Sequence, residues 1–176
     1  MVLRCSELAA GTIEKLLRPY GIRIQMVAAD APIPGSYWGE PEAGIVGERL
    51  YLRSDTPVHS ALHEACHIIC MTPGRRKELN GDAGGDHQEE NGVCYLQVVL
   101  AGHVPGLGRD RIFRDMDAWG YTFRLGSSAD WFRNDAADAR LWLLRRGLID
   151  GADRPTWRLR GQGTGAAAIP TGANSS

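Results

Sequence analysis

The sequence lacks the features that define several large classes of protein. It has no apolar run long enough to span a membrane, and its first residues, Met1–Glu7, contain no apolar segment of the signal-peptide type. Its 20 basic and 21 acidic residues give a formal net charge of −1, so no basic field is expected to attract nucleic acid or an anionic membrane. We therefore expect a cytoplasmic protein that binds neither.

Cysteine is also scarce, and the four cysteines show no spacing that indicates a disulfide framework. They are predicted to be reduced thiols. Apolar residues, in contrast, make up 43% of the 176 residues, which suits one compact domain with its own core. We predict a single domain over 1–160, followed by a Gly- and Ala-rich tail over 161–176 that is predicted to be disordered.

Apolar periodicity and capping residues predict an α+β fold. A strand is predicted over 22–26, and a hairpin from strands over 44–46 and 50–53. Pro57 suits a first helical position and begins a helix that ends near Met71. Further helices are predicted over 6–18, 88–101, 110–119 and 129–146, with a loop over 75–86 and a last strand over 157–160. The sheet is expected to be short, mostly antiparallel and packed against the helix that begins at Pro57.

The strongest chemical signal lies in that helix, in the segment His63-Glu64-Ala65-Cys66-His67. His63 and His67 are four residues apart and share a helix face, so both imidazoles can reach one metal ion. Glu64 lies about 100° around the helix axis, where its carboxylate can reach a metal-bound water molecule. Two ligands and a general base in this arrangement are typical of zinc hydrolases. A chance match is the alternative, but the apolar opposite face of the helix favours a metal site.

Catalytic zinc needs a third protein ligand and an open position for water. The strongest candidates are Glu89 and Glu90, at the start of the next long helix. Helical phase places Glu89 with the apolar residues of that helix, and Glu90 with Gln97. Because a carboxylate on a buried face needs a partner, Glu89 is the preferred ligand. Either acid could instead be a solvated first-turn residue that interacts with the helix dipole.

The segment His63–His67, followed by Glu89-Glu90-Asn91 at the start of an apolar helix, resembles the gluzincins, and especially the minimal ImmA/IrrE type. The resemblance covers about Leu50 to Leu100. It implies a zincin-like fold in which Zn²⁺ is held by two histidines and a Glu of the following helix. It also implies metal-dependent peptide hydrolysis, commonly directed at a regulatory protein. The sequence departs from that group at Glu90, where Ala is usual.

Other residues could contribute to such a site. His59, one turn before the motif, could support or replace a ligand, but a surface or cleft-lining histidine is the simpler interpretation. A thiolate from Cys66 or Cys70 could replace Glu89, although both are expected to be small buried hydrophobes. Residues before the second long helix could orient a ligand histidine: Asp82, Asp86 and His87. For Asp86, a role as the N-cap of that helix is preferred. Residue type alone suggests His103 and Tyr121 as oxyanion donors.

The sequence thus predicts a zinc-dependent metallopeptidase that acts on a peptide or protein. Glu64 would take a proton from water and deliver it to the leaving amine. The strand near Leu50–Arg53 is expected to offer an edge that pairs with an extended peptide. Two alternatives are a metal-binding regulatory module without turnover and a protein-interaction domain whose motif is accidental. Metal content and turnover distinguish the three.

Overall fold

A small sheet packs against a group of α-helices in the computed structural model of the protein, which describes residues 1–163. The strands are β1 (Arg23–Met26), β2 (Gly44–Val46) and β3 (Arg49–Leu52). The helices are α1 (Thr12–Leu17), α2 (Val58–Cys70), α3 (Pro73–Glu78), α4 (His87–Ala101), α5 (Gly108–Trp119), α6 (Ser128–Asn134) and α7 (Ala137–Arg145). The predicted α+β fold is confirmed. Of the tail predicted to be disordered, 164–176 lies outside the described residues.

The sheet is mixed, so the expectation of a mostly antiparallel sheet is wrong for one of its two strand pairs. The strand order is β1-β3-β2; β2 and β3 are antiparallel, whereas β1 and β3 are parallel. The tight turn at Gly47-Glu48 forces the antiparallel pair. The long connection over 27–43 carries the chain past the position of β3, so that β3 returns between its two neighbours in the direction of β1.

The predicted free edge at Leu50–Arg53 is also wrong, because β3 is the central strand. The outer side of β2 is covered by the chain itself. Ile45 N donates to Gly35 O at 3.2 Å, and Ile45 O accepts a hydrogen bond from Gly81 N at 2.9 Å. An extended peptide cannot add to this side of β2 without displacing these bonds.

Several helix boundaries differ from the prediction. The first α-helix begins only at Thr12, after a short 3-10 turn over Cys5–Glu7. Part of the predicted loop over 75–86 is α3, because Pro73 occupies a favoured first helical position. The predicted helix over 129–146 is divided into α6 and α7 at Asp135, whose carboxylate pairs with Arg124.

The strand predicted over 157–160 does not form. Trp157 has a φ of 60°, in the left-handed region, which is incompatible with a strand. Instead, Arg160 N donates to Ile69 O at 2.9 Å, which joins this segment to the end of α2. The C-terminal part of the described chain therefore packs beside the helix that contains the histidine motif.

The helices α2 and α4 form the centre of the protein. All of α2 except His63 is buried, and so is α4 from Gly92 to Ala101. A Cβ atom at Gly92 would lie 2.8 Å from the Trp142 ring, so glycine allows α7 to pack closely on α4. Thus α4 lies between α2 and α7. One hydrophobic cluster extends from Ile13 to Leu159.

All four cysteines lie within the described residues, and each is a free thiol, as predicted. No helix within residues 1–163 combines the length and the apolar character that are needed to cross a membrane.

The central position of α2 predicts that its apolar side chains dominate stability. Leu62 is 0% exposed, so Leu62→Ala should lower the free energy of unfolding by about 2–5 kcal/mol. Leu141 on α7 is 41% exposed, and Leu141→Ala should change the free energy of unfolding by no more than about 0.5 kcal/mol. Urea unfolding followed by circular dichroism measures both. Equal losses would show that α2 is not the centre of the core.

Candidate metal centre

Three side chains converge at one end of the α2–α4 contact. The Nε2 atoms of His63 and His67 are 3.2 Å apart. Oε1 of Glu90 lies 3.2 Å from Nε2 of His63, and Oε2 lies 3.5 Å from Nε2 of His67. Within residues 1–163, these are the residues whose ligand atoms are grouped closely enough to hold one metal ion. The pair of histidines predicted from the sequence is therefore brought together, with Glu90 as the third member.

A buried glutamine of α4 fixes the orientation of His63. Gln97 is 0% exposed, and its Nε2 donates to the main-chain oxygen of His59 at 2.8 Å. Its Oε1 must then be an acceptor, and it lies 3.2 Å from Nδ1 of His63. Nδ1 of His63 is therefore the protonated nitrogen, and the lone pair of neutral His63 is on Nε2. This is the tautomer that a metal ligand needs, set by a hydrogen bond on the opposite side of the ring.

With this tautomer, two acceptors face each other across 3.2 Å: Nε2 of neutral His63 and Oε1 of Glu90. Such a contact is repulsive unless a proton or a metal ion lies between them. Burial lowers the pKa of His63, but Tyr121, Cys94 and Glu90 outweigh it and raise that pKa well above its ordinary value. For His67, burial and then the neighbouring His63 lower the pKa to about 3. A cation is thus favoured at this point, and His67 stays neutral beside it.

Glu64 is buried beside the same group. It is 6% exposed and lines a cavity together with His63, His67 and Glu90. Burial, aided by the charges of Glu42 and Glu90, raises the pKa of the Glu64 carboxyl to about 7. Within residues 1–163 this carboxylate forms no ion pair and no hydrogen bond. The carboxylate thus faces the cavity rather than a partner, and carboxyl groups with a pKa raised in this way are concentrated at functional sites.

The cavity has a volume of about 270 Å³ and opens between two loops. One wall is the glycine-rich segment 81–85, which precedes α4. The other contains two adjacent aromatic residues, Tyr37 and Trp38, which are 57% and 74% exposed. Their rings contact each other edge to face, with centroids 5.0 Å apart. The opening is therefore bordered by a glycine-rich loop on one side and by exposed aromatic surface on the other.

The structure corrects the predicted position of Glu89. Its carboxylate does not face the histidines but pairs with Nη1 of Arg75 at 2.8 Å and with Nη1 of Arg160 at 2.9 Å. Arg75 also donates to Ala83 O, and Arg160 donates to Cys70 O at 3.1 Å. The carboxylate on the buried face does have a partner, but the partner is a pair of arginines rather than the histidine group. Glu89 thereby joins the glycine-rich loop, the end of α2 and the C-terminal segment.

Helical phase on α4 indicates the wrong acid because two faces of this helix pack against neighbouring helices. Glu89 lies on the face towards α7, as does Gly92, whose neighbour is Trp142. Glu90 lies on the face towards α2, as does Gln97. The signal that could have found this was Gln97 itself. A glutamine in an otherwise apolar stretch of α4 marks the face that meets polar groups, and it is seven residues from Glu90, on the same side.

The supporting candidates on α2, which are His59, Cys66 and Cys70, are all buried. His59 is 0% exposed and packs between Trp119 and Tyr121, with centroids 5.0 and 5.7 Å away, so the surface or cleft-lining interpretation is wrong. Burial lowers the pKa of His59 to about 4. The Tyr121 ring packs against the His63 imidazole in an edge-to-face contact, with the ring centroids 5.6 Å apart. Cys66 and Cys70 are buried, as expected.

The remaining candidates are divided between the cavity and the surface. Asp82 lines the cavity and accepts a hydrogen bond from Gly84 N at 2.9 Å. Asp86 caps α4 by accepting from Glu89 N at 2.8 Å, which confirms the preferred interpretation. Two residues do not line the cavity: His87, which is 3.2 Å from Asn91, and His103, whose ring packs near Trp157.

The two adjacent acids should respond differently to the same substitution. Glu90→Gln removes a carboxylate from the histidine group, so the zinc content of the purified protein should fall strongly. Glu89→Gln should leave zinc content unchanged and lower the free energy of unfolding by at least about 1 kcal/mol, because two arginines lose their anion. Elemental analysis and urea unfolding provide the two measurements. Zinc lost from Glu89→Gln, with Glu90→Gln unaffected, would contradict the geometry.

The role of Gln97 can be tested without touching a ligand. Gln97→Met keeps the approximate volume but removes the acceptor of Nδ1, so zinc affinity should fall by about 10- to 100-fold. Gln25→Met, on an exposed strand position, is the matched control and should leave the affinity unchanged. Competition with a chromogenic zinc chelator gives both affinities. An unaltered affinity in Gln97→Met would show that the hydrogen bond does not orient His63.

Comparisons with known proteins do not supply a relative for this site. No protein-family model matches the chain, and neither a curated protein nor a solved structure matches it.

Proposed function

We propose that the protein is a zinc-dependent hydrolase, and most simply a metallopeptidase. The observation that supports this most directly is the position of Glu64. Its buried, unpaired carboxylate lines the cavity into which His63, His67 and Glu90 also project. Three ligands and a free general base are the minimum that zinc-assisted hydrolysis requires.

The residues present fit zinc in their chemistry and spacing. Imidazole nitrogens and a carboxylate oxygen are typical zinc ligands. Tetrahedral ligands at about 2.0–2.1 Å from an ion are separated by about 3.3 Å from one another. The two Nε2 atoms are 3.2 Å apart, and each lies near a different oxygen of Glu90, at 3.2 Å for His63 and 3.5 Å for His67, so the spacing is close to that value. Three protein ligands leave one tetrahedral position free, which is the arrangement of a catalytic rather than a structural site.

The residues of the chain have distinct roles in the proposed reaction. Zinc, when bound by His63, His67 and Glu90, supplies Lewis-acid activation of water and of a carbonyl group. Glu64 accepts a proton from the attacking water, whose oxygen forms a bond to the carbonyl carbon. Glu64 then returns the proton to the nitrogen as the C–N bond breaks.

The shape of the opening supports a peptide substrate. The cavity of about 270 Å³ is too small to enclose a folded partner but can accept a few residues of an extended segment. Tyr37 and Trp38 offer apolar surface at its rim. Because the outer side of β2 is already covered, the peptide would lie against these rims rather than add a strand beside β2.

A metal-binding module without turnover is the second candidate, and one observation favours it. His67 and Glu64 are only 7% and 6% exposed, so access to the group is narrow in this conformation. A regulatory ion needs no more access than this, whereas a substrate needs the rims to separate. Turnover by the wild-type protein distinguishes the two functions.

Replacing Glu64 should separate metal binding from catalysis. Glu64→Gln keeps the size of the side chain but cannot accept the proton, so zinc content should be unchanged while peptide cleavage falls by at least about 10²-fold. His63→Ala is the parallel variant that should lose both. The measurements are elemental analysis and cleavage of a quenched fluorescent peptide library, read by mass spectrometry. Equal cleavage by wild type and Glu64→Gln would refute the general-base role.

A further inference from the structure

A second and larger cavity, of about 550 Å³, lies between the sheet and α3. It shares no lining residue with the candidate metal centre. Four basic side chains and one acidic side chain line it: Arg23, Arg49, Arg76, Lys77 and Glu48. None of the five forms an ion pair within residues 1–163. The cavity therefore has a marked excess of uncompensated positive charge, assembled from three separate parts of a chain that is nearly neutral as a whole.

The sheet forces two of these charges together. Arg23 of β1 and Arg49 of β3 are register partners in the parallel ladder, so their side chains leave the same face of the sheet side by side. Like charges at directly opposed positions destabilise a sheet. Both side chains are exposed, and no carboxylate of the described chain neutralises either one. An anion bound between the two guanidinium groups would convert a repulsive pair into an attractive site.

Arg76 supplies the second, independent observation. It is only 5% exposed, and its Nε and Nη2 donate to Ile68 O and Met71 O, each at 2.9 Å. Nη2 also donates to Arg160 O at 3.2 Å. These carbonyl groups accept from Nε and Nη2, whereas Nη1 has no hydrogen-bond partner among the described residues, and burial lowers the pKa of Arg76. The charge of Glu48 acts on Arg76, but the two form no ion pair, and Arg76 borders a cavity large enough to admit an anion.

We propose that this cavity binds a small, multiply charged phosphate compound. Guanidinium groups match phosphate oxygens in geometry and can donate to them in pairs, and Lys77 adds a further cation. The volume lies in the range of small-molecule sites. Tyr51, which also lines the cavity, offers a ring surface to any apolar part of the ligand. This site is independent of the proposed hydrolase activity and needs no metal.

Calorimetric titration with inorganic tripolyphosphate, and separately with ATP, tests the proposal on the full chain. The wild-type protein should bind tripolyphosphate, and Arg23→Gln/Arg49→Gln should bind it at least about tenfold more weakly. The matched control is Arg114→Gln/Arg145→Gln, which removes two exposed charges outside the cavity and should bind like wild type. Chelation of metal by either probe would affect both variants equally.

Two comparisons identify the part of the ligand that is recognised and exclude unfolding as the cause of lost binding. Tighter binding of ATP than of tripolyphosphate would assign a ring contact to Tyr51, whereas equal binding would assign recognition to the phosphates alone. Because the Arg23→Gln/Arg49→Gln variant loses a repulsive pair, its melting temperature without ligand should not fall, so lost binding cannot be attributed to unfolding. No binding by the wild type, equal binding by both variants, or equal binding of citrate would overturn the proposal.

Discussion

The contact between α2 and α4 is the constraint on which the candidate metal centre depends. Each helix is buried nearly all round, so the distance and rotation between them are fixed by packing. Within that contact Gln97 connects the His59 carbonyl group to the His63 ring. Because one amide bonds both the backbone and the imidazole of α2, the tautomer of His63 is determined by how the helices pack. The orientation of His63 therefore does not require an ion.

The adjacent acids at the start of α4 show how one helix serves two neighbouring regions. Glu90 faces α2 and contacts the two histidines, while Glu89 faces the other way and forms ion pairs with two arginines. Through Arg75 and its bond to Ala83, Glu89 holds the glycine-rich wall of the cavity in place. The residue that is not a member of the cluster therefore shapes the space above it. The two roles require opposite faces, which a helix buried on both sides can provide.

Buried charge without a partner marks both cavities of the protein. Glu64 is an unpaired carboxylate beside the histidine group, and Arg76 is a guanidinium without a counter-ion beneath the basic cavity. Arg76 also donates to the Ile68 and Met71 carbonyl groups at the end of α2, whereas Glu64 forms no hydrogen bond within the described residues. The opposite signs of the two charges fit opposite ligands, a cation in one cavity and an anion in the other.

The sequence by itself determined the local elements and their chemistry. Period and caps identified the strands and α2, and the four-residue spacing of His63 and His67 on one helix fixed that they would meet, because helix geometry is local. Only the tertiary structure decided which acid joins them. Glu89 and Glu90 differ by one residue, and their partners, Arg75, Arg160 and the histidines, come from distant segments. The parallel pairing of β1 with β3, which places Arg23 beside Arg49, is decided in the same way. No local pattern records where a distant strand or a distant guanidinium will lie, since that follows from the packing of the whole chain.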